Sequence, residues 1–457
     1  MKLQPNGYKT WHQQYGPVIC LKLAGYTVLI LGTHDVVKDL LVKKARIYSA
    51  RPSIGSAHYF TKGMVAGWLS YGPEWQKIHG IESVFFKRGL VQSYRLLQDL
   101  ESKQLVYELL SGRDFVPLFQ RFAKSTPFTI LFGKRLATTD SPEVQELEDL
   151  VQSLVGEIKW VHLLGAIPLA DRLPKPLKVW EKMGDRLHDR IFRIFEKYTT
   201  AAVKRAGWNW ATELEHRMRE QGLSFRQTCF LVYELQVAAF ASTWIVLNRV
   251  IKAALLNPEK TRKVRQELDL VVGVDRLPRF EDVDRLPYTN AFLSEALRWR
   301  SFLPLGIPHS LAEDDEYKGC YIPKDTVVFP NQWALDHDEK VFHHPDEFLP
   351  ERWIENPELP LTTFGFGKRI CPGQHMARNT LFIAVVRCLW GYDLITTESP
   401  DDPYNSSRKA IDFSAPKGLS FVVRSEKHKE TIEREWNMAD KDMTPILSKI
   451  QEQAQCN

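Results

Sequence analysis

The chain has 457 residues, of which 44% are hydrophobic and 26% are charged, and its formal net charge at pH 7 is +5. This length allows a large buried core, and the composition is ordinary for a globular protein. Because the positive excess is small and no long basic run carries interleaved aromatic residues, we expect no nucleic acid partner.

The N-terminal region is expected to form a β-hairpin followed by a helix. The polar segment Met1–Gln14 contains neither a signal peptide nor a convincing transmembrane span. Val18–Leu23 and Tyr26–Leu31 are rich in strand-forming residues, and an alanine-glycine pair separates them, which predicts a hairpin. Apolar residues at helical spacing follow Thr33, so a helix should come next.

Residues 70–250 show mostly helical patterns interrupted by proline and glycine. A Ser-x-x-Gln capping pattern at Ser224 predicts the start of a long apolar helix, which should end just before Pro258. Its apolar window Phe230–Leu247 contains Glu234, so a buried core helix is favoured over a membrane span.

Strand-like runs return at Thr326–Pro330 and Leu419–Val423. The fold class predicted from these patterns is therefore mainly α, with small groups of strands near the two ends of the chain. The six cysteines lack Cys-x-x-Cys spacing, which indicates free thiols in a reducing compartment.

The run Phe-Gly-Phe-Gly-Lys-Arg-Ile-Cys-Pro-Gly at positions 364–373 is the most informative stretch. Its glycines permit a tight turn around one sulfur atom. The helical spacing of Gln374–Trp390 puts Cys371 just before a helix N-terminus, where amide groups and the helix dipole stabilise a thiolate. Arg369 is expected to be a fixed cation close to that sulfur. The pattern predicts that Cys371 presents a thiolate to a metal.

Zinc is the alternative metal, because Cys371 and His375 are one helical turn apart. Zinc sites need three or four ligands, and the sequence offers no second Cys/His pair at ligand spacing. Cys371 and His375 alone therefore do not complete a zinc site.

The same run resembles the haem-ligand loop of cytochrome P450s, Phe-x-x-Gly-x-Arg-x-Cys-x-Gly. The defined places are filled by Phe364, Gly367, Arg369, Cys371 and Gly373. The resemblance covers nearly the whole length and implies the cytochrome P450 fold, helix-rich with a small β-sheet subdomain, as a single domain over residues 1–457. It also implies heme b, with iron bound by the Cys371 thiolate and Phe364 in the cofactor-binding loop. On the strength of this motif, haem is favoured over zinc and over a cysteine that merely packs in the core.

A second motif supports this resemblance. Glu295 and Arg298 share one helix face, and Pro-Glu-Arg-Trp supplies Arg352. In P450s these places form a buried ion network with a structural role, whereas Glu295 and Arg298 alone would suit an ordinary surface ion pair.

The resemblance assigns the haem propionates to Arg369, His309 and an early helix that contains Trp75 and His79. Relatives usually show Trp-x-x-x-Arg there, so His79 replaces an arginine and makes the charge depend on pH. Trp75 is expected to donate its indole N–H to the same propionate. For each histidine, a satisfied core or surface position is the alternative.

In the family, the long central helix carries an acid followed by an alcohol that relays protons into the haem pocket. The aligned run here is Ala238–Thr243, so Ser242 and Thr243 are the candidate catalytic residues and Ala241 stands where the acid would be. Phe240 replaces a small residue and is expected to narrow the pocket.

The missing acid leaves the reaction type open. Glu234 lies seven residues before Ala241, about 10 Å along the helix axis, which is too far for a direct replacement. The leading interpretation is a monooxygenase in which water and Ser242 deliver protons. The alternatives are a haem-thiolate enzyme for coupling or rearrangement, and a degenerate member without catalysis.

Weaker sub-family similarity points to fungal secondary metabolism, in four runs at residues 99–104, 292–299, 308–317 and 433–436. The resemblance places a bulky lipophilic substrate under a roof formed by Arg51–Trp68, the Phe240 region, Phe302–Ile307 and Ile411–Pro416.

No nucleotide-binding glycine loop or flavin domain is present, so electrons would come from NADPH through a separate NADPH–cytochrome P450 reductase. Candidate docking cations, each equally well explained as ordinary surface, are Lys77, Lys87, Arg88, Lys368 and Arg378. Microsomal relatives carry an N-terminal anchor, whereas this chain starts inside the first helix near Tyr8–Tyr15. With a native anchor we expect the cytosolic face of the endoplasmic reticulum membrane, and otherwise the cytoplasm. Association with a membrane surface is a further expectation.

Overall fold

Helices form most of the fold. The computed structural model describes residues 5–23, 25–52, 56–165, 174, 178–397 and 415–455. The helices of the first half are α1 (Pro5–Tyr15), α2 (His34–Val37), α3 (Ala45–Tyr48), α4 (Ser56–Thr61), α5 (Pro73–Ser83), α6 (Arg88–Ser93), α7 (Arg95–Leu109), α8 (Phe115–Phe132), α9 (Pro142–Gly165), α10 (Val179–Val203) and α11 (Trp210–Glu220). Those of the second half are α12 (Phe225–Leu256), α13 (Pro258–Val271), α14 (Pro287–Trp299), α15 (Gln332–Asp336), α16 (Glu351–Glu355), α17 (Gln374–Gly391), α18 (Glu426–Asn437) and α19 (Met443–Gln455).

The predicted N-terminal hairpin is confirmed, with strands β1 (Val18–Leu23) and β2 (Tyr26–Leu31) paired antiparallel. Gly25 in the connecting turn has φ of +89°, which favours glycine. β2 runs parallel to β6 (Val327–Pro330), and β6 pairs antiparallel with the short β3 (His309–Ser310). This sheet therefore joins the start of the chain to the segment that carries His309.

Two further strand pairs lie toward the C-terminus. β4 (Asp315–Tyr317) pairs with β5 (Cys320–Ile322), and β7 (Tyr392–Thr396) pairs with β8 (Leu419–Val423). Both pairs are antiparallel, and β8 has the bounds that the sequence predicted. Strands thus lie near both ends of the chain, as expected.

Helix α12 passes through the middle of the molecule. Ser224 caps its first turn, and the predicted capping box with Gln227 is confirmed. Most of its side chains are buried, and it packs against α8, α10, α11 and α17. Among the described residues, α12 is the one helix long and apolar enough to cross a bilayer, a test that core helices of soluble proteins also pass. Its packing supports the prediction of a core helix.

Candidate active site: a cysteine loop and an exposed stretch of the central helix

Cys371 lies at the end of the predicted tight turn. Its backbone N–H donates to the carbonyl oxygen of Phe364 at 2.8 Å, and this bond closes the loop before α17. Gly365 and Gly367 have φ of +79° and +57°, which L side chains rarely adopt. At Gly367 a methyl group would also lie 2.1 Å from the carbonyl oxygen of Leu41, so only glycine fits.

The Cys371 thiol is held in a desolvated place. Burial raises its pKa, a hydrogen bond from the backbone of Gly373 lowers it, and the Glu82 carboxylate raises it. The expected closeness of Arg369 to this sulfur stays a prediction. A bound metal ion would remove the thiol proton.

Helix α12 loses its burial at the stretch that the sequence singled out. Side chains are mostly buried before Val237 and after Thr243, but Ala238 is exposed, and Ala241 and Ser242 are half-buried. A stretch of this kind between buried flanks is what a helix shows where it borders a cavity. Ser242 donates its hydroxyl to the backbone oxygen of Ala238 at 2.7 Å.

Phe240 does not share this exposure. Its ring is buried, and the Lys124 ammonium nitrogen lies 5.5 Å from the ring centroid. The ring therefore packs against α8, and the expectation that Phe240 narrows the pocket was wrong. Thr243 is half-buried beside Ser242.

Arg369 binds backbone carbonyl groups. Its guanidinium donates to the carbonyl oxygens of Ser49 at 2.8 Å, Ala66 at 3.3 Å and Leu69 at 2.5 Å. It also lies over the ring of Trp75, 4.5 Å from the centroid. Desolvation lowers the pKa of Arg369 to about 10.

Arg51 is a second cation at the same place, and the sequence patterns missed it. The side chain is 7% exposed and donates to the carbonyl oxygens of Gly67 at 2.8 Å and Pro308 at 2.6 Å. Burial and, as a smaller cause, the Arg369 cation lower its pKa to about 9. Two neighbouring cations whose pKa values are lowered in this way form a place where an anion would be stabilised.

His309 lies beside these arginines. It is buried, and its Nδ1 is 2.8 Å from the carbonyl oxygen of Tyr48. Burial, Arg51 and Arg369 together lower its pKa to about 3, so the imidazole is neutral near pH 7 in this surrounding. Only a nearby anion would raise this pKa enough for His309 to be the cation that the resemblance implied. Its propionate role stays a prediction.

Trp75 and His79 stack on each other, with ring centroids 4.4 Å apart. The Nδ1 atom of His79 lies 2.8 Å from a carboxylate oxygen of Glu82, whose side chain is 7% exposed. Trp75 is thus enclosed between His79 and Arg369. The structure brings these three predicted residues together, and Glu82 is an acid that sequence reasoning missed.

Glu234 reaches the same region from α12. Desolvation raises its pKa to about 8, and Glu82 raises it too, whereas amide bonds from Gly67 and Ala66 and the Arg369 cation lower it. The sequence showed Glu234 only as an acid too far from Ala241. Nothing local to Glu234 indicated its contact with a segment 168 positions away.

The predicted ion network of Glu295, Arg298 and Arg352 is confirmed. Arg298 donates to both carboxylate oxygens of Glu295, at 2.8 and 2.7 Å, and Arg352 donates to Glu295 at 3.3 Å. Trp353 adds its indole N–H at 2.9 Å, and the Leu349 amide adds another bond at 2.9 Å. The network joins α14 to α16.

In the comparisons with known proteins, the family model "Cytochrome P450" matches residues 2–420. The chain belongs to the cytochrome P450 family. The P450 monooxygenase criE of Aspergillus cristatus is 38% identical over 455 residues, which cover 98% of this chain and 85% of that protein. Fumitremorgin C synthase of Aspergillus fumigatus is 36% identical over 452 residues, covering 93% of this chain and 85% of that protein. This P450 is accordingly a fungal-type monooxygenase, an oxidoreductase, and the coupling and degenerate alternatives are not favoured.

Solved structures show the same fold. A zebrafish cytochrome P450 with progesterone has a TM-score of 0.75 at 22% identity and covers 92% of this chain and 99% of that chain. A zebrafish P450 structure with abiraterone has a TM-score of 0.71 at 23% identity, covering 85% of this chain and 91% of that chain. The predicted fold, mainly α with small sheets, is confirmed.

Membership of the P450 family implies a haem with a cysteine thiolate on iron. The residues of this P450 fit that group. Cys371 supplies the one thiol of the loop, the stretch at Ala238 leaves one face of α12 exposed, and Arg51 and Arg369 offer the positive charge that two propionates would need. In the described part of the chain no three His, Cys, Asp or Glu side chains gather as metal ligands, so the zinc alternative rests on Cys371 and His375 alone.

Proposed function

We propose that this P450 binds heme b through the Cys371 thiolate and oxidises a lipophilic secondary metabolite with O2 and electrons from a reductase. The observation that carries the proposal is the Cys371 loop, closed by the Phe364 carbonyl, together with the exposed stretch of α12. When bound, the haem supplies activation of O2 at its iron. Arg51 and Arg369 hold the propionates, with Trp75 and His309 beside them.

Ser242 is the proposed proton-handling group of this P450. Its hydroxyl donates to the Ala238 carbonyl in the structure and accepts from any donor that enters the cavity. Because Ala241 carries no carboxyl group, protons must reach Ser242 through ordered water. Thr243 is the second candidate, one residue further along the helix.

The substrate class follows from the lining and from the relatives. Met64, Trp68 and Phe302 are partly buried apolar side chains in the proposed roof, which suits a bulky lipophilic molecule. Of the stretch Ile411–Pro416, residues 411–414 lie outside the described part of the chain. Relatives are named for echilunin and fumitremorgin C, so we infer a fungal secondary metabolite as substrate.

Electron supply is proposed to come from NADPH–cytochrome P450 reductase, docked on the side of the Cys371 loop. The five candidate cations, Lys77, Lys87, Arg88, Lys368 and Arg378, are all exposed, as docking requires. We further propose location at the cytosolic face of the endoplasmic reticulum when the native protein has an anchor, and the cytoplasm otherwise.

Oxygen-18 labelling tests the proposal. Purified haem-loaded protein, NADPH, a reductase and lipophilic metabolites that include echilunin and fumitremorgin C are incubated under ¹⁸O2. A product that gains one ¹⁸O atom supports the monooxygenase. A product that loses hydrogen without gaining ¹⁸O would support coupling or rearrangement, and a protein that takes up no haem would support the degenerate alternative.

A further inference from the structure

Glu234 binds two consecutive backbone amides of a distant segment. One carboxylate oxygen accepts from the N–H of Ala66 at 2.7 Å, and the other accepts from the N–H of Gly67 at 2.6 Å. Glu234 is the one acidic residue within α12. At helical spacing it lies on the same face as Ala238 and Ala241, two residues of the less buried stretch, and we call this the cavity face of α12. The carboxylate therefore joins the cavity face of α12 to this segment.

The segment is a single 3₁₀ turn, Ala66–Trp68, which we call the wall turn. Its carbonyl groups are bonded as well as its amides. Arg51 donates to the Gly67 oxygen at 2.8 Å, and Arg369 donates to the Ala66 oxygen at 3.3 Å. This half-buried turn is thus held by one carboxyl group and two cations from other parts of the chain.

The position of the wall turn gives this anchoring a consequence for ligands. It is tied on one side to the cavity face of α12 through Glu234, and on the other to the Cys371 loop through Arg369. Trp68 belongs to the turn, and its half-buried ring packs against the hydrophobic core. A shift of the turn would therefore change the wall of the ligand pocket that the proposed function requires.

Gly67 shows how closely the carboxylate approaches. A methyl group at this position would lie 2.8 Å from a carboxylate oxygen of Glu234, and its next contact within 4 Å is the carboxyl carbon at 4.0 Å. The backbone of Gly67 does not have a positive φ. A methyl group here would displace the Glu234 carboxyl group, so this contact rather than the backbone conformation favours glycine.

We propose that Glu234 is a positioning residue whose carboxylate fixes the wall turn, and that this fixed turn determines how well bulky ligands bind in the pocket. The proposal rests on the haem pocket of the proposed function. Because the anchored turn is preorganised, bulky ligands need not order it when they bind.

Azole binding to the haem-loaded protein tests this inference, because azoles change the haem spectrum when their nitrogen reaches the iron. The affinity for imidazole, which is small, depends on access to the iron alone. The affinity for clotrimazole, which is bulky, depends also on its contacts with the pocket walls. Glu234→Gln keeps the shape but replaces one accepting oxygen by a donor group. We expect a dissociation constant for clotrimazole about tenfold or more higher, with imidazole changed less than about twofold.

Glu267 provides a matched control outside the pocket. Its carboxylate also accepts from two consecutive amides, those of Tyr288 and Thr289, each at 2.8 Å. Glu267→Gln therefore removes the same kind of anchor between α13 and α14. We expect it to leave the affinities for both azoles unchanged, so a general effect of losing such an anchor is separated from an effect at the wall turn.

Gly67→Ala disturbs the same contact from the other partner and keeps the test decisive if Glu234→Gln fails to take up haem. It should weaken clotrimazole binding alone, and should add little in a Glu234→Ala background, where the clash is gone. Unchanged or tighter clotrimazole binding in Glu234→Gln, or equal loss for both azoles, would overturn the inference. A wild-type protein that shows no azole spectrum would instead overturn the proposed function.

Discussion

Two groups of arginine and glutamate side chains in this P450 use their charges differently. In the network of Glu295, Arg298 and Arg352, the guanidinium of Arg298 donates directly to the Glu295 carboxylate through two hydrogen bonds of 2.8 and 2.7 Å. Around the wall turn, Glu234 and Arg369 instead bind amides and carbonyls of the backbone between them. In the first group the carboxylate and the guanidinium groups neutralise each other. In the second group Arg51 and Arg369 bind neutral backbone carbonyls, so their positive charge remains available to a ligand.

The difference separates a structural ion network from a ligand site. A buried arginine that already pairs with a carboxylate has little left to offer a ligand. Arg51 and Arg369, by contrast, have pKa values lowered to about 9 and about 10, mainly by desolvation. An added anion would raise both values. Lowered arginine pKa values beside a cavity therefore indicate where the propionates would be stabilised.

The largest effect is expected in the complete network. Arg298→Ala leaves the fully buried Glu295 carboxylate without its main partner, which costs on the order of 3–5 kcal/mol of unfolding free energy. Little haem-loaded protein should then be recovered, as measured by denaturant unfolding and haem content. Arg298→Lys keeps the charge and should lie in between. A well-folded, haem-replete Arg298→Ala protein with only an altered substrate preference would contradict this assignment.

Arg369→Gln should affect the cofactor more than the fold. The change removes a cation while the backbone carbonyls of Ser49 and Leu69 keep an amide donor nearby. We expect haem to dissociate about tenfold faster or more, since one charge-assisted interaction is lost. Haem transfer to apomyoglobin measures this rate. Lys368→Gln, an exposed neighbouring cation, is the control and should retain haem normally.

His309, which lies beside Arg51 and Arg369, should make the stability of the protein depend on pH. Its pKa is lowered to about 3 in the folded chain, whereas a histidine in an unfolded chain has a pKa of about 6.5. The unfolded state therefore binds the proton first, so this contribution to stability is complete above about pH 6.5 and falls as the pH drops toward 3.

The fall in unfolding free energy between about pH 6.5 and 3 is the acid limb of the stability curve. His309→Gln should flatten this limb in the haem-free protein, as measured by unfolding free energies at a series of pH values. In the haem-loaded protein a propionate beside His309 would raise its pKa, so the limb should already be shallow without mutation. An equally steep limb in both forms would argue against a propionate at His309.

These contrasts also explain what could be predicted from the sequence. The hairpin, the capping box of α12 and the cysteine loop each depend on residues close together in the chain, and their patterns are visible locally. The Glu295–Arg298 pair is likewise three residues apart. Arg51 and Glu234 were not predicted, because their partners lie far along the chain: Glu234 meets Ala66 across 168 positions.

The smallest effect is expected at Ala241. Ala241→Asp restores the acid of the family one residue before Ser242, on the exposed stretch of α12. Proton delivery should improve, with more oxygenated product per NADPH and less peroxide. We expect a gain of up to about tenfold, below the ~10²–10⁴-fold of an optimised acid. Ala241→Asn is the control of equal size. Lower turnover with no gain in oxygenated product would favour coupling or rearrangement chemistry.

The most direct test of the central claim is the carbon monoxide difference spectrum of the reduced, purified protein. A thiolate from Cys371 on the haem iron predicts the red-shifted Soret band in the wild type and its loss in Cys371→Ala. Cys388 is a buried cysteine in α17, the helix that follows the loop, and Cys388→Ala should keep the band. A wild-type spectrum without the band, or a band that persists in Cys371→Ala, would contradict the account.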